Sequence, residues 1–263
     1  MTRQQVDWLT MAGWGAVLMP LLTMWHEIGG HAAACALQGG NVAEIGAFYV
    51  DCRGLSGLPN ALVACAGVVV NAVLSLAAYA AWRRAERDGV RLFLWLVWVS
   101  EAFVAAGYLC FSGVTGAGDL GTGSQGELAG LPFPLAWRVA EILVGVLAYI
   151  AVVRAGIRGL SAMLGTGPET RPARKRIAHP YYLACGVGAV LVGLLNPLGL
   201  FVTIMSAAAS SFGGLAGFIS IGFAARGADA PQDFAVPRNW GVIAAGVVVS
   251  VLFAAVLGPS IGP

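Results

Sequence analysis

The sequence predicts an all-α polytopic membrane protein with six to seven transmembrane helices, on the basis of its composition and of its long apolar stretches. Apolar residues make up 58% of the 263 residues and charged residues only 11%, whereas soluble domains carry about 25% charged residues. A soluble fold of this composition would have almost no charge on its surface. The mean hydropathy of +0.79 agrees with a chain whose solvent is a lipid bilayer.

The apolar stretches are long enough to cross a bilayer, which takes about 20 helical residues. Spans are predicted near residues 8–37, 58–82, 91–112, 135–158, 181–203, 205–225 and 239–258. Asn196-Pro197 interrupts the fifth stretch, and small residues weaken the sixth, so the count is six or seven. Because no internal repeat and no soluble region stands out, we predict one membrane domain over residues 1–263. Residues 1–130 form its site-bearing core, and residues 131–263 add further helices.

The basic residues predict the orientation of the chain. Of the 15 Lys and Arg residues, all but Arg53 and Arg138 lie at the N terminus or in every second connection between predicted spans, and therefore on one side of the membrane. Cytoplasmic loops typically carry this excess, so we expect a cytoplasmic N terminus. Richness in Ala, Gly and Arg favours a bacterial inner membrane. The run from Arg171 to Arg176 is interpreted as an anchor at the bilayer surface and not as a nucleic-acid-binding segment, since the net charge is only +2.

The five cysteines show no paired spacing typical of metal ligands. Most of them lie in predicted helices, where a free thiol packs as a small apolar group. Only Cys52 falls in a predicted exposed loop. The sequence therefore predicts no disulfide framework.

An ionisable cluster lies towards the outer end of the first predicted span. Two of the three histidines fall within six residues, in His26-Glu27-Ile28-Gly29-Gly30-His31. Ionisable groups are costly in hydrocarbon, so such a cluster indicates function. Neutral imidazoles bind zinc, and a carboxylate beside the first ligand can act as general base on water. The alternative is a purely structural trio, satisfied by neighbouring helices or by water at the membrane edge.

The spacing of the two histidines predicts a local distortion of the helix. On a regular α-helix, positions five apart differ in direction by about 140°, whereas positions four apart differ by about 40°. A π-bulge with i→i+5 hydrogen bonds would return His26 and His31 to one face. Gly29-Gly30 is where such a distortion costs least, because glycine tolerates unusual backbone angles. We predict a π-bulge or kink between the histidines.

The segment from His26 to Gly40, HEIGGHAAACALQGG, resembles the active-site helix of the site-2 protease class of intramembrane zinc metallopeptidases, in particular its shorter bacterial members. In that pattern the helix ends at a glycine pair, here Gly39-Gly40, and a short β-hairpin follows. The β-branched and aromatic residues between 42 and 50 suit a strand. The extra glycine makes the motif His-Glu-x-x-x-His and departs from the usual His-Glu-x-x-His.

The resemblance extends over residues 10–125 and includes the second predicted helix. The family opens that helix with Ala-Gly-Pro and places an Asn one turn later. Ala66-Gly67-Val68 and Asn71 correspond to this pattern, with Val in place of Pro. The resemblance implies that Asn71 holds substrate backbone. A hydrogen bond across helices is the structural alternative for that residue.

The resemblance also implies a third zinc ligand, an Asp from a later segment, with the fourth position left for water. The best candidate is Asp119, in the glycine-rich segment 116–121. By itself this residue looks like a turn residue. It follows the third predicted span, which ends on the same outer side as His26 and His31. We therefore predict a zinc site of His26, His31 and Asp119 towards the non-cytoplasmic side.

Two further acidic residues lie in predicted spans. Glu141 follows Arg138 by three residues, so a local ion pair is its simplest interpretation. Glu101 lies near the middle of the third span. It is interpreted as a group behind the ligands, as a proton relay or as a residue on the substrate path.

The resemblance implies a zinc metallopeptidase that hydrolyses a transmembrane protein or peptide in or near the lipid bilayer, with Glu27 as catalytic base. One alternative is a relative that lost catalysis through the extra glycine and serves as a membrane binding or assembly protein. Another is a small proton- or ion-coupled transporter that uses His26, Glu27 and Glu101. The enzyme predicts zinc bound through both histidines, whereas the transporter predicts a continuous polar path along Glu101 and the broken fifth span. The need for an accessory partner stays open.

Overall fold

Helices form most of the protein in a computed structural model that describes residues 4–200 and 203–262. Arg3 and residues 201–202 of the predicted span 181–203 lie outside the described residues. The α-helices are α1 (Trp8–Met24), α2 (Ala33–Leu37), α3 (Leu58–Trp82), α4 (Asp88–Thr115), α5 (Pro134–Leu164), α6 (Arg171–Gly193), α7 (Gly217–Phe223) and α8 (Trp240–Leu257). One π-helix, Trp25–Ala32, joins α1 to α2 without a break, and another, Thr203–Gly213, leads through the 3-10 turn Gly214–Ala216 into α7. A second 3-10 turn, Pro168–Thr170, precedes α6.

Six helical stretches of the described chain are long and apolar enough to cross a membrane. They are Trp8–Leu37, Leu58–Trp82, Asp88–Thr115, Pro134–Leu164, Thr203–Phe223 and Trp240–Leu257. Their outer faces carry exposed apolar side chains such as Leu76 and Leu147. Contiguous apolar surface of this kind is rare on soluble monomers. The prediction of an all-α protein of the membrane type is confirmed at this level.

Helix α6 differs most from its prediction. It begins at Arg171 and ends at Gly193, so the basic segment is itself helical. The helix thus ends shortly before the break predicted at Asn196-Pro197. There the Asn196 Oδ1 accepts a hydrogen bond from the Leu198 N–H at 2.8 Å and so forms a local turn. Because its first turns carry several charges, α6 is not one of the six apolar stretches described above.

The first and last long helices begin side by side. Strand β1 (Gln4–Val6) precedes α1 and pairs in parallel with β4 (Phe234–Val236), which precedes α8. Asp7 caps α1 by accepting a hydrogen bond from the Thr10 N–H, and its carboxylate also pairs with Arg238 at 2.9 Å. A side-chain cap of this type satisfies an otherwise unpaired amide.

A β-hairpin follows the first helix, as predicted. Strands β2 (Asn41–Gly46) and β3 (Tyr49–Arg53) are antiparallel, with an irregularity between Val42 and Glu44. Near the C terminus, Ile261 bridges to Ile45 in β2. The hairpin therefore lies against both the end of α2 and the end of the chain.

The prediction of no disulfide is wrong. A disulfide joins Cys35 in α2 to Cys52 in β3, across 17 residues of sequence. The two thiols meet because the hairpin folds back over the end of the helix. Spacing alone could not indicate this pairing, which depends on the fold of the hairpin. Cys65, Cys110 and Cys185 are free thiols.

The helices after residue 131 pack against the site-bearing part of the chain. Helix α1 contacts both α6 and α8, and the π-helix Thr203–Gly213 contacts α4 and α6. Between these helices lies a buried aromatic group of Trp95, Phe103, Tyr181 and Phe218. These contacts make the later helices part of the wall around the candidate site.

Candidate metal centre

The π-helix Trp25–Ala32 carries the two histidines and confirms the predicted distortion. Hydrogen bonds of the i→i+5 type widen the turn, so residues five apart lie above one another. The imidazole rings of His26 and His31 are 4.8 Å apart between centroids. Their Nε2 atoms are 3.1 Å apart. Both side chains therefore present the same nitrogen to one point.

Two glycines allow α3 to pass directly behind these nitrogens. A Cβ on Gly30 would lie 2.6 Å from the Cα of Gly67. A Cβ on Gly67 would lie 2.5 Å from Nε2 of both His26 and His31. Such distances are far inside van der Waals contact. The close approach of α3 to the π-helix therefore requires glycine at both positions.

Asp119 completes the group from the loop after α4. Gly116 ends that helix in the left-handed conformation with φ of 72°, which glycine adopts readily. The chain then turns back, and Asp119 Oδ2 lies 3.1 Å from His26 Nε2 and 3.3 Å from His31 Nε2. The structure thus brings together the three side chains that the sequence proposed as ligands.

The spacing of these three atoms fits a small divalent metal. Zinc bonds of 2.0–2.1 Å in a tetrahedron place neighbouring ligand atoms about 3.3 Å apart. The three observed separations are 3.1, 3.1 and 3.3 Å. Two imidazole nitrogens and one carboxylate oxygen form a donor set that zinc accepts, and they leave a fourth position open.

The far side of each imidazole is held by a neighbour on α3. His31 Nδ1 donates to the Val63 carbonyl oxygen at 2.8 Å. The amide nitrogen Nδ2 of Asn71 lies 3.0 Å from His26 Nδ1. With the amide turned over, its oxygen accepts the Nδ1–H, which is the arrangement that leaves Nε2 free for a metal. These contacts direct Nε2 of each ring towards the candidate centre, as is usual for metal-binding histidines.

The site is almost closed to solvent. His26, Glu27 and His31 are 4%, 5% and 7% exposed. Burial by itself would raise the pKa of the Asp119 carboxyl, but the adjacent His31 and His26 hold that pKa below its usual value. Asp119 is therefore held as a carboxylate, the form that a metal ligand must take.

Two adjoining cavities open onto the site. The larger has a volume of about 60 Å³ and is lined by His26 and Glu27; the smaller has a volume of about 50 Å³ and is lined by Asp119. Phe48, Val104, Tyr108, Ser206 and Ser210 contribute to the walls of both. Together the cavities give buried space beside the three side chains that is large enough for water molecules.

The sequence did not single out Tyr108 as a residue of the site. Its ring stacks on His26, with centroids 4.8 Å apart and planes 13° from parallel. Phe48, from the turn of the hairpin, also reaches both cavities. In an apolar chain, aromatic residues look alike in sequence whether they face lipid, core or site, so no signal marked these two.

The other predicted residues separate into two groups. Asn71 and Glu101 line the larger cavity, whereas Glu141 is not among the residues lining either cavity. The predicted ion pair of Arg138 and Glu141 is wrong. The Arg138 guanidinium instead donates to the carbonyl oxygens of Gly113 and Val114, at 2.9 and 2.6 Å. The last carbonyls of a helix lack partners within it, and those of α4 lie within reach.

No protein-family model, characterised protein or solved structure matches the chain. Function is therefore argued from the geometry of the site. That geometry offers three converging side chains that could hold a metal ion, a carboxyl group next to the first of them, and buried cavities beside them.

Proposed function

We propose that this protein is an intramembrane zinc metallopeptidase of the site-2 protease type, which cleaves a peptide bond of a membrane-embedded substrate. The observation that carries the proposal is the convergence of His26, His31 and Asp119 within 3.3 Å of one another. Glu27, which follows the first ligand directly, lines the adjoining cavity. The six apolar stretches of the described chain support a location in the bilayer.

The residues of the site have distinct roles in the proposed reaction. When bound, zinc would supply a Lewis acid that polarises the scissile carbonyl and activates a water molecule. A carboxylate oxygen of Glu27 accepts a proton from that water and returns it to the departing amine. Hydrolysis then places the hydroxyl on the carbonyl carbon and the proton on nitrogen. Asn71 and Val63 orient the imidazoles, and Tyr108 covers the face of His26.

Removing a ligand tests the proposal most directly. Purified wild-type protein should bind about one zinc per chain, whereas His26→Ala, His31→Ala and Asp119→Asn should bind far less. His179→Ala is the matched control, because the third histidine lies in α6 and contacts Ile219 and Phe223. Metal content is measured by plasma mass spectrometry after gel filtration in detergent. A wild-type protein that stays zinc-free after reconstitution would rule out the peptidase.

The pairing of β1 with β4 supports seven crossings. Since both strands precede long helices and run in parallel, α1 and α8 start on the same side of the protein. An even number of crossings must then separate these starts. Five of the six apolar stretches lie before α8, so α6 must cross as well, as the fifth span in chain order, and α8 is the seventh. With basic loops inside, the N terminus is cytoplasmic and the metal centre lies on the outer side of a bacterial inner membrane.

The disulfide provides a test of this orientation. Disulfides persist in oxidising compartments such as the bacterial periplasm, and Cys35 lies four residues after His31. In right-side-out vesicles, a membrane-impermeant maleimide should label the protein more strongly after reduction. A Cys35→Ser/Cys52→Ser double variant should show no such increase, because its remaining thiols are already free. Reduction-dependent labelling confined to inside-out vesicles would contradict the proposed orientation.

A proton- or ion-coupled transporter is the second candidate. Glu101 and the hydroxyls of Ser206 and Ser210 line the same cavity as His26 and Glu27, which is the polar environment that such a transporter needs. Transport predicts proton flux in proteoliposomes that persists without zinc and is lost in Glu101→Gln. The peptidase predicts no flux and a strict need for zinc.

A further inference from the structure

A cavity of about 520 Å³ lies between the ends of two of the apolar stretches. It shares no lining residue with the two cavities beside the candidate metal centre. Its walls come from the last turns of α5 and α7 and from the residues that follow these helices. Helix α5 has 31 residues and is about 46 Å long, whereas the hydrocarbon core of a bilayer is about 30 Å thick. The ends of these stretches therefore reach the level of the lipid headgroups.

The walls of this cavity divide into an apolar and a polar part. Ile157, Ile219 and Phe223 supply apolar surface, and both Ile219 and Phe223 are exposed on the outside of the protein. Ser161 and Ser220 supply hydroxyl groups. An amphipathic ligand could therefore contact apolar and hydrogen-bonding groups in the same cavity.

A fully buried arginine holds one of these hydroxyls. Arg174 is 0% exposed, and its Nη2 donates to Ser161 Oγ at 2.8 Å and to the Gly165 carbonyl oxygen at 2.6 Å. Because Ser161 Oγ accepts this bond, its own O–H is directed elsewhere and can donate to a ligand. The Nη1 atom of Arg174 is buried and has no hydrogen-bond partner in the described part of the chain. An unpaired guanidinium thus lies directly behind Ser161.

Cations outnumber acids around the cavity. Arg226 lines it, is exposed and takes part in none of the ion pairs of the described chain. The Lys175 ammonium lies 4.4 Å from the ring centroid of Phe223. None of the described residues that line the cavity is Asp or Glu. The carboxylate of Asp229 approaches only at Thr166, whose hydroxyl donates to it at 2.9 Å.

We propose that this cavity binds one anionic phospholipid. The phosphate lies against the Arg226 guanidinium and the hydroxyls of Ser161 and Ser220, since charge-assisted hydrogen bonds to phosphate are strong. An acyl chain lies along Ile219 and Phe223. Basic pockets between membrane helices bind anionic headgroups in this way. The surplus of cations favours a headgroup without an ammonium group, and the apolar wall favours a lipid over a soluble phosphate. This inference goes beyond the proposed peptidase and does not depend on it.

Lipid binding to the delipidated protein tests the site. The full chain in detergent is titrated with phosphatidylglycerol or with phosphatidylcholine of identical acyl chains, and bound lipid is counted by native mass spectrometry. We expect one phosphatidylglycerol per chain to bind about tenfold tighter than phosphatidylcholine, as for a hydrogen bond to a charged group.

Two variants separate the cavity from the general charge of the surface. Arg226→Gln removes the cation that lines the cavity, and Ser220→Leu fills the cavity while keeping every charge. Both should lose most of the preference. Arg84→Gln is the matched control, because Arg84 is exposed in the connection between α3 and α4, which the distribution of basic residues places on the same side of the membrane. It should keep the preference. Gel filtration and thermal unfolding show that each variant is folded.

The remaining outcomes would each overturn the site. Equal losses in Arg226→Gln and Arg84→Gln would show a general attraction of anionic lipid to a basic surface. A full preference in folded Ser220→Leu would show that the lipid binds outside the cavity. Glycerol phosphate, which has no acyl chains, should not displace the lipid, and displacement at similar concentrations would identify a site for a soluble phosphate compound. None of these measurements requires zinc, so failure of the peptidase and failure of the lipid site are separate results.

Discussion

Replacing Glu27 by Gln is expected to leave zinc binding intact and to lower peptide hydrolysis by about 10²- to 10⁴-fold, the usual contribution of general acid–base catalysis. Glutamine has the same shape as glutamate but cannot accept the proton of the attacking water. Glu27 is not one of the three converging ligands, so its replacement should not empty the centre. Cleavage of a transmembrane substrate is followed by mass spectrometry, with zinc content measured on the same samples.

Glu86→Gln is the matched control for this experiment, since Glu86 is exposed in the connection between α3 and α4. It should cleave at the wild-type rate. Full activity in Glu27→Gln would exclude Glu27 as the base. A zinc-loaded wild-type protein that cleaves no tested substrate, including unwound segments, would favour the non-enzymatic relative.

The extra glycine does not separate the two histidines. In a regular α-helix the two histidines would point about 140° apart, and no single ion could reach both. The π-helix instead brings their Nε2 atoms to 3.1 Å, and Gly30 is the residue that packs against Gly67. The added residue is thus built into a formed ligand set. Its presence gives no structural reason for a loss of catalysis.

Local rules explain how much of the site could be predicted. The π-helix followed from the spacing of His26 and His31 together with the glycines between them. The expectation of an Asp ligand came from the resemblance to the site-2 proteases, and the side of the membrane on which the third span ends favoured Asp119. The first inference needs only helix geometry, whereas the second also needs the resemblance and the direction of the chain.

The features that sequence did not give depend on contacts between distant segments. The disulfide of Cys35 and Cys52 needs the hairpin to fold back on α2. The stacking of Tyr108 on His26 needs α4 to lie beside the π-helix. The early start of α6 was missed because its basic residues were interpreted as a loop, although basic residues are good helix formers. In each case tertiary packing selected among several outcomes that the local sequence allows.

Gly67→Ala is expected to weaken zinc binding by about 10- to 100-fold, the range found when the groups that orient metal ligands are altered. The added methyl group would lie 2.5 Å from Nε2 of both histidines, which is too close for either ring to keep its position. The backbone of α3 cannot retreat easily, because Gly67 also touches Gly30 and Asn71 holds His26 from the same helix. Zinc affinity is measured by competition with a chromophoric chelator.

Gly89→Ala makes the same chemical change at the start of α4, where no atom lies within 4 Å of the added Cβ. It should keep wild-type zinc affinity, so that a loss confined to Gly67→Ala reflects the close approach and not a general effect of removing glycine. If Gly67→Ala kept the wild-type zinc affinity, the Nε2 atoms of His26 and His31 would not be the atoms that bind zinc next to Gly67. The centre would then have to form around other atoms, and the assignment of His26 and His31 as joint ligands would fail with it.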